Sequence, residues 1–172
     1  MSMTNPLRFE RGLLDIPTDS KERHQEIVDC FGRFLFWLRN WSLDASRQFV
    51  DSEESRNALA TIRRRPYEGV AAMTPEQRDA ALLLAKESLD GFLERFLWFM
   101  GDEGTDAKFG RNLAYRFRIE MELVDVETGE IRDQETINRG GDFFGSYWGR
   151  WLNRYGADST KESSSMPGDG TQ

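Results

Sequence analysis

The chain is poor in the groups that do chemistry. Its 172 residues include one histidine and one cysteine. With Cys30 alone no disulfide can form within the chain, which fits a reducing compartment. Two such residues are also too few for a zinc site. Lysine is scarce, four against 19 arginines, a usage that GC-rich codons and ordinary surface pairing both explain. No run approaches the ~20 apolar residues that a membrane-spanning helix needs, and Met1–Gly12 lacks the apolar stretch of a signal peptide. Neither a P-loop nor a dinucleotide glycine fingerprint occurs, and there is no Gly-x-Ser-x-Gly elbow. No half of the chain is basic, and the net charge of −7 disfavours general affinity for phosphate backbones. These absences leave no catalytic residue, metal or cofactor to assign. The expectation is a cytoplasmic protein of bacterial or phage type.

What the chain does have is rings. Aromatics make up 12% of it, enough large apolar surface to offset chain entropy. Asp19 or Ser20 opens a helix whose Ile27, Phe31, Phe34, Leu38 and Trp41 recur at spacings of 4, 3, 4 and 3, one helical stripe. Ser42 and Asp44 offer a cap for a second helix, or the stripe runs on through Ala45 and Phe49. A further helix is expected over Ser52–Arg65, ended by Arg63-Arg64-Arg65 before Pro66. Thr74-Pro75-Glu76-Gln77 carries the signature of a capping box with proline at the first helical position. The helix it starts is expected to run to Met100 with Leu82, Ala85, Leu89, Phe92, Phe96 and Phe99 inward, and Gly101 stops it.

The period then changes to two. Leu113, Tyr115, Phe117, Ile119, Met121 and Leu123 alternate with mostly polar neighbours, which predicts a strand. Glu127-Thr128-Gly129-Glu130 reads as a hairpin loop with Gly129 in the left-handed region. A return strand follows over about Glu130–Asn138, anchored by Ile131 and Ile137. Gly140-Gly141-Asp142 breaks the sheet and introduces a last helix, with Phe144, Tyr147, Trp148, Trp151 and Tyr155 on one side. The expectation is an α+β fold. A helical layer of three to four helices packs on an antiparallel β-hairpin, or on three strands if Pro6–Leu14 adds an edge, with a C-terminal aromatic helix. Residues 1–156 form one domain, and 157–172, rich in Ser, Gly and Asp, form a disordered tail.

Candidate functional residues fall into three sets. Phe36, Trp98, Trp148 and Trp151 lie off the main stripes or crowd a single helix, so an aromatic patch at the surface is expected. Such a patch suits a protein partner or a second copy of the chain. Arg116 and Arg118, interleaved with Tyr115 and Phe117, together with Arg63, Arg64 and Arg65, form an alternative, nucleic-acid-binding set. Strict alternation, however, sends rings and arginines to opposite faces. Glu120 and Glu122, with Asp133 or Glu135 across the hairpin and Arg116 and Arg118 beside them, form a third, enzyme-like set. His24 reads as a solvated helix residue and Cys30 as a small apolar one. Asp102, Glu103 and Asp106 fail the calcium-loop pattern. The reading that follows is a non-enzymatic interaction protein, inhibitor- or adaptor-like, acting through its aromatic patch.

Overall fold

A computed structural model describes residues 17–101, 108–109, 113–114, 117–138 and 144–156. The elements are α1 (Ser20–Asp51), α2 (Glu53–Asn57), α3 (Thr61–Ala71), α4 (Pro75–Met100), β1 (Lys108–Phe109), β2 (Leu113–Ala114), β3 (Glu120–Val124), β4 (Ile131–Thr136), a single 3-10 turn (Phe144–Ser146) and α5 (Tyr147–Gly156). The fold is α+β, with antiparallel hairpins and a C-terminal aromatic helix. Contacts gather in two compact units. One combines the segment ending at Phe36 with the segment beginning at Glu94, and the other is Trp37–Leu93. The edge strand expected at Pro6–Leu14, the Asp142 cap and the 157–172 tail lie outside the described residues.

Helix boundaries follow local chemistry. Asp19 caps α1, its Oδ1 accepting from the Lys21 and Glu22 amides at 3.0 Å each, as an N-cap carboxylate should. Ser42 does not start a new helix: its hydroxyl bonds the Leu38 carbonyl one turn back, and Ser46 does the same to Ser42. Both hydroxyls are spent inside the helix and none is left to cap. At α4 the expected box is complete. The Gln77 amide donates to Thr74 Oγ1 at 3.4 Å, and Gln77 Oε1 accepts from the Thr74 amide at 3.1 Å.

The middle of the chain departs from expectation. The helix foreseen over Ser52–Arg65 is two helices broken at Ala58–Ala60, and α3 runs through Pro66 to Ala71. Proline removes one donor, the one that would serve the Ile62 carbonyl. Ile62 is 86% exposed, so water can serve that carbonyl and the helix continues. Arg56 on α2 donates to the Val50 and Phe49 carbonyls, covering acceptors that the end of α1 leaves open.

In the unit containing α5, that helix supplies the core. Trp148, Trp151, Phe144 and Tyr147 are all buried. Phe31 on α1 stacks on Phe144 at 6.3 Å and meets Trp151 edge-on at 6.4 Å. Asp29, also buried, accepts from the Trp151 indole at 3.1 Å and from Arg154 at 2.6 Å, so its charge and both its oxygens are matched. Asn138 makes the other buried polar clasp. Its Nδ2 donates to the Met100 and Phe117 carbonyls, and its Oδ1 accepts from the Ile119 amide.

The β3–β4 hairpin keeps the expected parity. Phe117, Ile119, Met121 and Leu123 are half-buried, and Arg118, Glu120, Glu122 and Val124 are exposed. Its register pairs Met121 with Glu135 and Leu123 with Asp133, then slips at Leu123/Val124. That bulge carries Ile131 outward, 51% exposed, so Ile137 alone anchors the return strand. Gly129 takes φ +72°, as the loop requires. Asp125 organises the turn, its Oδ1 accepting from the Glu127 and Thr128 amides and its Oδ2 from Arg132.

These bonds, the Thr128 amide foremost and then Arg132, hold the Asp125 carboxyl down at about 2. The folded value lies below the unfolded one. The carboxylate therefore supports the turn in full above about pH 4, and that support is lost as pH falls toward about 2. The Thr128 amide resonance is expected to titrate with a midpoint near the folded value, and Asp125→Asn should abolish the titration. A midpoint at the ordinary aspartate value would contradict this account.

A candidate interaction surface

The residues proposed from sequence separate on folding. Of Phe36, Trp98, Trp148 and Trp151, only Trp98 reaches solvent, with 47% of its surface exposed. Phe36 is buried and packs on Tyr155 at 5.9 Å. Trp148 and Trp151 are core residues of their unit. Close packing of α5 on α1 at Gly32, with no Cβ between the backbone and the Trp151 ring, takes the Trp151 indole inside.

The described arginines of the second set fall in different units. Arg63 and Arg65 are exposed on α3, and Arg64 pairs with Glu68 at 3.0 Å and donates to Asn57. Arg118, on the other unit, is exposed and pairs with Glu120 at 3.2 Å. Arg116 and Tyr115 lie outside the described residues.

The carboxylates are divided by the pleat. Glu120 and Glu122 face solvent. Asp133 and Glu135 share the opposite face with Met121 and Leu123 and turn to the first turns of α1. There Arg23 Nε sits 3.0 Å from Asp133, and His24 Nδ1 sits 2.8 Å from Glu135 Oε1. His24 is thus a docking contact rather than a solvated residue. The four carboxyls share no pocket.

Cys30 is buried, and that burial pushes its thiol above the ordinary value although Arg33 hydrogen-bonds it. A thiol held protonated is a poor nucleophile. Among the described residues no group of three or more His, Cys, Asp or Glu gathers as metal ligands. Asp102, Glu103 and Asp106 fall outside them. In the Trp37–Leu93 unit a crevice of about 200 Å³ is lined by Arg47, Asp51, Pro75, Arg78, Asp79 and Leu82. Its two cations and two anions balance, so it selects neither sign of ligand.

The surface feature that stands out is α4. The expected inward stripe is not the buried one. Leu93 and Leu97 are buried, whereas Phe92 is 59% exposed, Phe96 36% and Phe99 38%. Leu83 and Leu84, 57% and 68% exposed, add to the open apolar area. The buried side carries an ion pair. Asp90 forks onto Arg39 of α1 through two bonds of 2.7 Å. At about 100° per residue, Leu93 and Leu97 share the side that carries Asp90. On α1 the same rotation leaves Leu38 and Trp41, 37% and 44% exposed, off the buried side, which carries Leu35, Phe36, Arg39 and Val50 instead. No helix among the described residues is long and apolar enough to cross a membrane. Compared with protein-family models, curated proteins and solved structures, the chain matches none.

Proposed function

We propose that the chain is a non-enzymatic protein-interaction protein, adaptor- or inhibitor-like, that docks through the open side of α4. The observation that carries this reading is the exposure of Leu84, Phe92, Phe96, Trp98 and Phe99 on one helix. A helix apolar on most sides is ordinarily buried on most sides. Here one side is covered within the chain, while rings and leucine elsewhere around the helix keep more than a third of their surface in water, Phe99 among them although it packs on Phe117 at 5.0 Å. Aromatic side chains are the anchors most enriched where protein interfaces are strongest. They supply large contact area at small entropic cost, because their rotamers are few and already restricted on a helix. The candidate chemical groups elsewhere are paired, buried or scattered, which supports binding over catalysis.

The test is affinity capture from the host lysate with wild-type bait and with Phe92→Asp/Phe96→Asp bait. Both side chains reach solvent, 59% and 36% exposed, and circular dichroism with thermal unfolding checks that the variant bait keeps its helices. Proteins held by the wild type, the untagged chain included, are expected to be lost from the variant. Identical retained sets from two folded baits would sink the reading.

A further inference from the structure

The crevice of the Trp37–Leu93 unit holds charges that the chain leaves unspent. Arg47 and Asp51 reach it from the end of α1, and Pro75, Arg78, Asp79 and Leu82 from the start of α4. Arg47 and Asp51 stand one turn apart, a spacing at which opposite charges can pair along a helix. Arg78 and Asp79 are neighbours in the chain. Yet none of these four charged side chains makes an ion pair or a hydrogen bond with another described residue.

For three of them this is unremarkable. Arg47, Asp51 and Asp79 are exposed, and water serves them. Arg78 is half-buried, and its Nε is shut off from water with no partner. The Nε atoms of Arg23 and Arg64 are also buried without a hydrogen bond, but each still faces a carboxylate at 3.0 Å. Arg78 faces none. A guanidinium cannot shed its proton, so this donor carries its desolvation cost without return. A buried polar atom left in that state points to a partner that is missing, either solvent or a ligand.

We propose that the crevice binds a free α-amino acid with an apolar side chain. The carboxylate of the ligand takes the fork formed by Arg78 Nε and a terminal nitrogen, the same bidentate contact that Arg39 makes with Asp90. The ammonium group lies toward Asp51 and Asp79, and the hydrocarbon side chain on Pro75 and Leu82, the two apolar walls. An anion or a cation alone would meet two of the four charges as repulsion, whereas a zwitterion satisfies both signs. Size agrees as well. About 200 Å³ is less than the ~300–1,000 Å³ of sites for drug-sized ligands, and it suits one amino acid. The site shares no residue with the docking side of α4, so it is a second, independent binding activity.

L-Leucine titrated into the isotope-labelled full chain should give saturable shifts of the Arg78 and Asp79 amide resonances. The dissociation constant should be on the order of 1 mM, weak because three of the four charges keep their water. Isocaproate lacks the ammonium group and isoamylamine the carboxylate, and each should bind at least about tenfold more weakly. Arg78→Gln should weaken L-leucine by a similar factor, and Arg78→Lys, which keeps the charge but not the fork, by several-fold. Circular dichroism checks the helices of each variant. If Arg78→Gln loses them, Asp51→Asn/Asp79→Asn, at two exposed positions, should show the same weakening. No saturable shift up to the solubility of leucine overturns the proposal. So does a single-charge analogue that binds as tightly as leucine, or a folded Arg78→Gln or Asp51→Asn/Asp79→Asn chain that binds leucine like wild type. A crystal grown with L-leucine in which only a water bonds Arg78 Nε would assign the unpaired donor to solvent and end the proposal.

Discussion

Replacing Asp90 with alanine is expected to destabilise the Trp37–Leu93 unit by about 3–5 kcal/mol, the cost of removing one partner from a buried ion pair. Arg39 and Asp90 expose only 8% and 12% of their side chains, and the two bonds of 2.7 Å form a bidentate fork. A guanidinium cannot shed its proton to escape burial. The variant must therefore hold a desolvated cation without its counter-charge or open the helix pair to water. Lys86, 3.6 Å from the same carboxylate, gives no relief, being of the same sign as Arg39.

Asp90→Asn should cost less, because the amide oxygen can still accept from Arg39. The double replacement Arg39→Leu/Asp90→Leu should recover most of the loss, because it removes the charge together with its partner. Thermal and urea unfolding of the three variants should therefore rank Asp90→Ala lowest. A fall of roughly 10 °C or more in its midpoint is the expected scale. Asp90→Ala within about 1 kcal/mol of wild type, the range of an exposed pair, would show that the fork contributes little.

The second large effect comes from a change that helix propensity alone would recommend. Gly32 lies inside α1, where alanine is preferred by up to ~1 kcal/mol. A Cβ at Gly32, however, would overlap the Cε2, Cδ2 and Nε1 atoms of the Trp151 ring. That ring cannot swing clear cheaply. It is 1% exposed, touches Phe31 and Phe144, and donates its indole hydrogen to Asp29. Overpacking of this kind costs about 1–3 kcal/mol, occasionally more, and displacing the indole would also strip Asp29 of one donor. Gly32→Ala is therefore expected to be destabilising by about 1–3 kcal/mol net.

Gly91, in α4, provides the comparison, since nothing lies within 4 Å of its added Cβ. Gly91→Ala should raise stability by up to ~1 kcal/mol through the unfolded chain's lost freedom. The same substitution in two helices thus has opposite signs. Equal signs in the unfolding midpoints would mean that the α1–α5 contact is looser than its geometry.

How far the sequence could be read depended on the range of the interaction. The capping box at Thr74, the carboxylate cap at Asp19, the left-handed Gly129 and the stripe of α5 are set by residues within one helical turn or one loop of each other, and all four appear where the pattern puts them. The strand parity from Phe117 to Leu123 was legible for the same reason. Pro66 misled because its cost depends on whether the orphaned carbonyl meets water, which is a matter of exposure. The Arg39–Asp90 fork left only a faint mark, a carboxylate next to Leu89 and three residues before Leu93, one of several charged residues on α4. The Asp29–Trp151 bond joins positions 122 apart, and no local pattern announces it.

By itself the chain determined where α1 and α4 begin and where the hairpin turns, that α5 has one apolar side, and that few reactive groups exist for chemistry. Only the tertiary structure decided which side of α1 and α4 goes inside. A helix with leucine or phenylalanine on most of its circumference gives no single direction to bury, so the choice fell to a charge pair and to a glycine that admits a tryptophan ring. Hydrogen bonds between near neighbours can be read from sequence because chain geometry sets them. Burial is settled between residues that the sequence holds far apart, and so is the side of α4 left facing water.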